Sequence, residues 1–94
     1  MTRAMRLIIR GRVQGVGYRA WAADAARALG LGGWVRNRTD GTVEAVVSGD
    51  DQDVERFIAA CGTGPRLAQV TTVETAAADP ADAGGPGFEH RPTV

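Results

Sequence analysis

The spacing of apolar residues changes twice along the chain from a strand-like to a helix-like period, and this order restricts the possible folds more than any other feature. Residues 5–13 alternate, which places Met5, Leu7 and Ile9 on one face of a predicted strand and arginines on the other. Apolar residues then recur at helical spacing over 18–29, and a glycine follows as a C-terminal stop. The first third of the chain therefore predicts a strand followed by a helix.

The rest of the chain predicts two strands, a second helix and another strand. Segments 32–37 and 42–49 have strand character and flank the pair Asp40–Gly41, a typical hairpin turn. A second helical stripe follows them, and a further strand is predicted over 69–75. The order β-α-β-β-α-β predicts an α+β, ferredoxin-like sandwich, in which an antiparallel sheet carries both helices on one face.

The second predicted helix begins near residue 50, where Ser48 or Asp50 can act as its N-cap. Its buried stripe is expected to consist of Val54, Phe57, Ile58 and Cys61. Because Cys61 lies on that stripe, we interpret it as a structural residue. The alternative is a phosphatase-type cysteine loop, but Arg66 comes one residue too early for the C-x5-R spacing.

The C-terminal region is predicted to be less regular. Residues 76–87 are rich in alanine, glycine and proline, which indicates a mobile connector. Residues 88–94 are expected to add a last edge strand, ended by Pro92.

Length and cysteine content predict the setting of the protein. The 94 residues are expected to form one domain, 1–94, and contain no apolar run long enough to cross a bilayer. A single cysteine cannot form an internal disulfide, which favours a reducing, cytoplasmic compartment. A monomer is the default expectation.

The basic residues are all arginine, and they are unevenly distributed. Without lysine the chain has no Walker A motif and no Schiff-base chemistry. Residues 1–38 contain eight arginines and one acidic residue, whereas residues 39–94 contain three arginines and ten acidic residues. Converging arginines in the first part would favour anionic ligands. The alternative is that folding interleaves the two parts and cancels the field.

The segment "GRVQGVGYR", residues 11–19, follows the first strand directly. Its glycines permit a bend in which successive N–H groups point into one concavity. Arg19 closes the segment with a fork of donors suited to a tetrahedral anion. The alternative is an ordinary strand-to-helix turn with solvated arginines.

Together with "GWVRNRTDGTVE", residues 33–44, this segment resembles the signature of the acylphosphatase family. The likeness extends in order and spacing over residues 5–75 and includes "GPRLAQV" before the fourth predicted strand. It implies a hydrolase that splits acyl phosphates into a carboxylate and phosphate. It implies substrate binding by Arg19 and positioning of the attacking water by Asn37. It also implies a phosphate cradle formed by the backbone of Gln14, Gly15, Val16, Gly17, Tyr18 and Arg19.

Two features depart from the family pattern. Arg38 follows the asparagine where several relatives carry a small hydroxyl residue, which puts in doubt a side-chain brace between hairpin and cradle. The connector 76–87 is looser than the usual approach to the last strand. Neither departure falls on Arg19 or Asn37.

No metal or other cofactor is expected. His90 is the only histidine, so no cluster or triad built on histidines can form. Residues 51–55 imitate the start of a calcium loop, but Arg56 and Gly62 stand where that loop needs glycine and glutamate. The expected partners are a small acyl phosphate and inorganic phosphate, without nucleic acid or membrane.

Two alternatives remain from the sequence. One is a binding module of the same topology, for RNA or a small ligand; RNA binding needs exposed aromatic residues, and the first strand offers Arg6, Ile8 and Arg10 instead. The other is an acylphosphatase-like domain of a larger maturation enzyme. The sequence does not identify the physiological acyl phosphate.

Overall fold

A computed structural model of the chain describes residues 2–94, which form a five-stranded sheet with two α-helices on one face. The elements in chain order are β1 (Thr2–Arg12), α1 (Tyr18–Ala28), β2 (Gly32–Asn37), β3 (Val43–Asp50), α2 (Asp51–Cys61), β4 (Gln69–Ala77) and β5 (Phe88–His90). The strand order across the sheet is β4-β1-β3-β2-β5. The predicted ferredoxin-like order and fold are confirmed.

The pairing of the strands agrees with the prediction except at the last one. β1 pairs antiparallel with β3 and β4, and β2 pairs antiparallel with β3. β5 pairs parallel to β2, so the expectation of a wholly antiparallel sheet is wrong for this strand. The chain leaves β4 at one edge of the sheet and crosses the outer face before β5 begins at the opposite edge, where it runs in the direction of β2.

The main core lies between the sheet and the two helices. Leu7 and Ile9 of β1 are fully buried there, as the alternation predicted. On α2, Val54, Phe57 and Cys61 are fully buried, and the Asp50 carboxylate caps this helix by accepting from the Gln52 N–H at 3.0 Å. Ile58 of the predicted stripe is half-buried and packs against the same core.

The connector 76–87 contains more regular structure than expected and contacts the outer face of the sheet. β4 continues to Ala77, and a short 3₁₀ helix follows over Pro80–Ala83. Ala83 is buried with Trp34 and Val46, two outward-facing residues of the sheet. The Trp34 indole N–H donates to the Asp82 carbonyl at 2.7 Å. The alanines allow this close approach, because they contribute little side-chain volume.

Neither α-helix in residues 2–94 has the length and apolar character needed to cross a bilayer.

Candidate active site

The site begins in the five residues that connect β1 to α1. Gly15 and Gly17 have φ values of 73° and 78°, the left-handed region that glycine adopts at no steric cost. A Cβ at either position would meet no other atom within 4 Å, so the conformation, and not a lack of space, favours glycine here. These two residues curve the loop so that its amides can face one concavity.

The start of α1 lies beside this loop and lacks a side-chain cap. Gly17 is the N-cap residue, and the first turn contains no acidic side chain. The first helical hydrogen bond is donated by the Trp21 N–H to the Gly17 carbonyl at 3.1 Å. Within residues 2–94, the amides of residues 14–20 donate to no protein acceptor. Unsatisfied donors at the positive end of a helix form a favourable environment for an anion.

A cavity of about 150 Å³ brings the loop together with the two side chains implied by the sequence. Its lining residues are Val13, Gln14, Gly15, Gly17, Tyr18, Arg19, Ala20, Asn37 and His90. Among the predicted site residues, Val16 does not line the cavity, since its half-buried side chain packs against the core. Arg19 and Asn37 are 18 positions apart in the chain, yet they share this one cavity.

Arg19 differs from most arginines of the chain because no carboxylate in residues 2–94 pairs with it. Most arginines of the basic N-terminal part do pair, for example Arg10 with Glu74 at 2.8 Å and Arg36 with Glu44 at 2.8 Å. The interleaving alternative is therefore correct for much of the surface charge. The half-buried guanidinium of Arg19 remains available to an external anion.

Asn37 is fixed by its main chain, whereas its side chain is free. As the last residue of β2 it pairs with Val43, and its carbonyl accepts from the Val94 N–H at 3.2 Å. It projects from the same face as the core residue Val35, because side chains alternate along a strand. Within the described chain, the Asn37 side-chain amide has no hydrogen-bond partner.

The Gln14 side chain connects the loop to the β2–β3 hairpin. Its Nε2 donates to the carbonyl of Arg38 at 2.8 Å and to the carbonyl of Thr42 at 2.9 Å. The sequence put a brace between hairpin and cradle in doubt at Arg38, but this bridge uses main-chain acceptors and does not depend on that side chain. It holds the loop against the turn that follows Asn37.

The comparisons with known proteins agree with this geometry. Residues 5–89 match the sequence model of the acylphosphatase family. The chain belongs to the acylphosphatase family. It is accordingly an enzyme of the acylphosphatase type, a hydrolase of acyl phosphates.

Individual acylphosphatases are similar over their whole length. The chain is 52% identical to the acylphosphatase of Azorhizobium caulinodans over 94 residues, which covers 100% of both chains. It is 56% identical to that of Acidiphilium cryptum over 91 residues, which covers 96% of this chain and 97% of the relative. The crystal structure of acylphosphatase from Bacillus subtilis matches with a TM-score of 0.88 at 33% identity, covering 97% of this chain and 99% of the other.

Tyr18 and Cys61 support the acylphosphatase site from inside the core. The Tyr18 hydroxyl donates to the Cys61 carbonyl at 2.7 Å, and burial raises the pKa of this phenol well above its ordinary value. Burial also raises the pKa of the Cys61 thiol to about 12. The thiol is therefore protonated at neutral pH and shielded from solvent, as expected for a structural cysteine. Because the Tyr18 side chain is buried in the core, only the main chain of this residue can contribute to the phosphate loop.

His90 is the polar residue of the cavity that was not predicted from the sequence. The likeness to acylphosphatases extends only to residue 75, and His90 was a candidate only for a metal cluster or a triad. Its position in the cavity depends on the parallel register of β5, where His90 is opposite Val35. No short sequence pattern predicts which residue of β2 pairs with His90.

Two other features of residues 2–94 offer no competing site. No three histidine, cysteine or acidic side chains converge there as a set of metal ligands. A more open hollow of about 420 Å³ lies at the start of α2. Three of its four charged side chains form ion pairs, Arg3 with Glu55 and Arg56 with the neighbouring Asp53.

Proposed function

We propose that this acylphosphatase-family chain cleaves the carboxyl–phosphate bond by in-line attack of water without a metal ion. In this proposal the amides of residues 14–19 and the Arg19 guanidinium hold the phosphate, and Asn37 orients the water. The observation that carries it is the single cavity in which free amides, an unpaired guanidinium and an unpaired side-chain amide meet.

The phosphate end of the substrate matches the donors of the loop and helix. In phosphoryl transfer, negative charge is spread over three equatorial oxygens, and catalysis consists mainly of positioning and electrostatic stabilisation. Several N–H groups at the start of α1 can reach such oxygens together, while Arg19 contributes two parallel donors from its planar fork. These donors are already in place before the substrate arrives, because no protein acceptor in residues 2–94 occupies them.

The attacking water requires orientation more than a strong base. An asparagine cannot act as a general base, but its carbonyl oxygen can accept a hydrogen bond from water and fix its direction. The water oxygen forms a bond to phosphorus as the bond to the acyl oxygen breaks, and its proton passes to a phosphate oxygen of the substrate. The carboxylate leaves with the bonding electron pair and needs no proton, because it is a weak base.

Metal independence follows from the same donors. The positive charge that a bound cation would contribute comes in this proposal from Arg19 and the helix start. Residues 2–94 also contain no convergent set of metal ligands that would suggest a different arrangement.

The test is hydrolysis of benzoyl phosphate beside p-nitrophenyl phosphate, an ordinary phosphate monoester, in the presence of a chelator. We expect turnover of the first compound and little of the second, since only the acyl phosphate has a carboxylate leaving group. Arg19→Ala should abolish turnover. Arg12→Ala is the matched control, because this substitution removes the same positive charge from a nearby residue that does not line the cavity. Equal losses in both variants, or faster hydrolysis of the monoester, would contradict the proposal.

A further inference from the structure

His90 lines the proposed phosphate site together with the loop and Asn37. Along the sheet, β1 delivers the loop, β2 carries Asn37, and β5 carries His90 at the edge. His90 pairs with Val35, and paired residues of parallel strands project from the same face. Because Val35 is buried beneath the helices, the imidazole points to the helix side, where the cavity opens.

No acidic side chain lies beside His90 in the cavity lining. Arg19 is the charged side chain that shares the cavity lining with it, and no acidic residue occurs in the first turn of α1. Further along α1, Asp24 pairs with Arg27 at 3.7 Å, and Arg27 also donates to the Phe88 carbonyl. On β5 itself, Glu89 projects to the other face.

Glu89 is itself paired, since its carboxylate forms an ion pair with Arg91 at 3.2 Å. No aspartate or glutamate lines the cavity. A protonated imidazole at position 90 would therefore add its positive charge to the site, and no acidic side chain in the cavity lining would cancel it.

We propose that His90 is a further substrate-binding residue, whose protonated imidazole attracts the dianionic phosphate end of the substrate. This inference rests on the proposed function of the cavity as a phosphate site. It assigns His90 no part in bond breaking. The enzyme would bind its anionic substrate more tightly in mildly acidic solution than in alkaline solution.

The sequence makes this effect separable from other titrations. Histidine is the side chain that ordinarily changes charge between pH 5 and 8, and His90 is the only histidine in the chain. Cys61 stays protonated through this range. One added unit charge about 6–10 Å from a dianion in water, with screening by salt, changes affinity by about threefold to tenfold.

The experiment is calorimetric titration of the intact chain with sulfate at pH 5.5 and pH 8.0. Sulfate is a tetrahedral dianion at both pH values, whereas inorganic phosphate changes its own charge between them. For the unaltered chain we expect sulfate to bind about threefold to tenfold more tightly at pH 5.5. His90→Gln should bind at both pH values with the weaker affinity of the unaltered chain at pH 8.0. His90→Lys, which keeps a charge at both pH values, should bind tightly at both.

Glu89→Gln is the matched control. It alters the neighbouring residue on the opposite face and should preserve the pH difference. The inference is overturned if the unaltered chain shows no pH difference, if it binds no sulfate, or if His90→Gln retains the difference. Benzoyl phosphate hydrolysis, measured on the same samples, tests the proposed function separately. Sulfate binding that responds to His90 without any hydrolysis would support this inference and contradict that function.

Discussion

Among the arginines of residues 2–94, Arg19 is the one that lines the cavity, and no carboxylate in those residues pairs with it. Its guanidinium lines the cavity beside amides that also lack acceptors within residues 2–94. A planar fork binds two oxygens at once, whereas an ammonium group acts as a single compact charge. The proposed binding role therefore depends on shape as well as on charge.

For this reason we expect Arg19→Lys to fail as a catalyst even though it keeps the charge. Loss of a positioned donor of this kind typically lowers the rate by about 10²–10³. Steady-state kcat/KM for benzoyl phosphate, together with an unchanged circular dichroism spectrum, is the measurement. Near-normal activity of the lysine variant would show that bidentate geometry is not required.

Cys61 allows a prediction that separates packing from chemistry. Cys61 is the last residue of α2, and its side chain is fully buried in the core. Cys61→Ala therefore leaves a small cavity and should lower the free energy of unfolding by about 1–2 kcal/mol. Turnover at a temperature where the variant is folded should be nearly unchanged. Urea unfolding and kcat test the two halves, and a trapped phosphocysteine would reverse the assignment.

The residues of the site were predictable to different extents from sequence. Arg19 and Asn37 follow short motifs, and each motif fixes its own local geometry. His90 was not predictable, because its position depends on how a three-residue edge strand pairs across the sheet. Gln14 was predicted only as part of the phosphate cradle, and the acceptors of its side chain, the Arg38 and Thr42 carbonyls, are evident only from the tertiary contact.

At the scale of elements, the turn from β1 into α1 holds the amides in place. Gly17 is the N-cap of α1 with φ 78°, and Gly30 follows the same helix with φ 71°. A Cβ at either position would meet no atom within 4 Å. The two glycines therefore form a matched pair, one inside the cavity and one at the far end of the helix.

We expect Gly17→Ala and Gly30→Ala to lower the free energy of unfolding by a similar amount, about 1–2 kcal/mol, because alanine disfavours the left-handed region. Only Gly17→Ala should weaken competitive inhibition by phosphate, since relief of its strain displaces the first amides of α1. Urea unfolding and the phosphate inhibition constant are the two measurements. An equal change in the inhibition constant for both variants would show that the loop conformation is not the relevant feature.

The last third of the chain shows that the prediction of helices and strands does not include tertiary contacts. Composition indicated a mobile connector over residues 76–87 and did not show that Trp34 and Val46 would be covered on the outer face. That cover carries the chain across the sheet and makes β5 parallel to β2. It also removes Trp34 from the surface, so that this ring is not available for base stacking in the alternative RNA-binding function.

At the scale of the whole molecule, the uneven charge of the sequence is largely cancelled by folding. Ion pairs join the basic and acidic parts, as between Arg10 and Glu74. The hydrogen bond and the charge of Arg10 hold the pKa of the Glu74 carboxyl below its usual range. In the proposed mechanism, attraction of the anionic substrate therefore comes from the cavity and not from one whole side of the protein.

This concentration of charge in fixed protein groups predicts that turnover does not require a divalent cation. Dialysis against a chelator should leave kcat for benzoyl phosphate unchanged, and added magnesium should not raise it. A rate that disappears in chelator and returns with magnesium would contradict the proposed mechanism. Circular dichroism before and after dialysis controls for any effect on folding.

The division of labour between phosphate binding and water orientation is the central claim, and Asn37→Ala tests it most directly. The loop amides and Arg19 are unaltered in this variant, so the inhibition constant of inorganic phosphate should stay nearly the same. Loss of the group that orients the water should lower kcat by about 10²–10³. Asn37→Ala that binds phosphate much more weakly but keeps a normal kcat would contradict the account, because Asn37 would then hold the substrate and not the water.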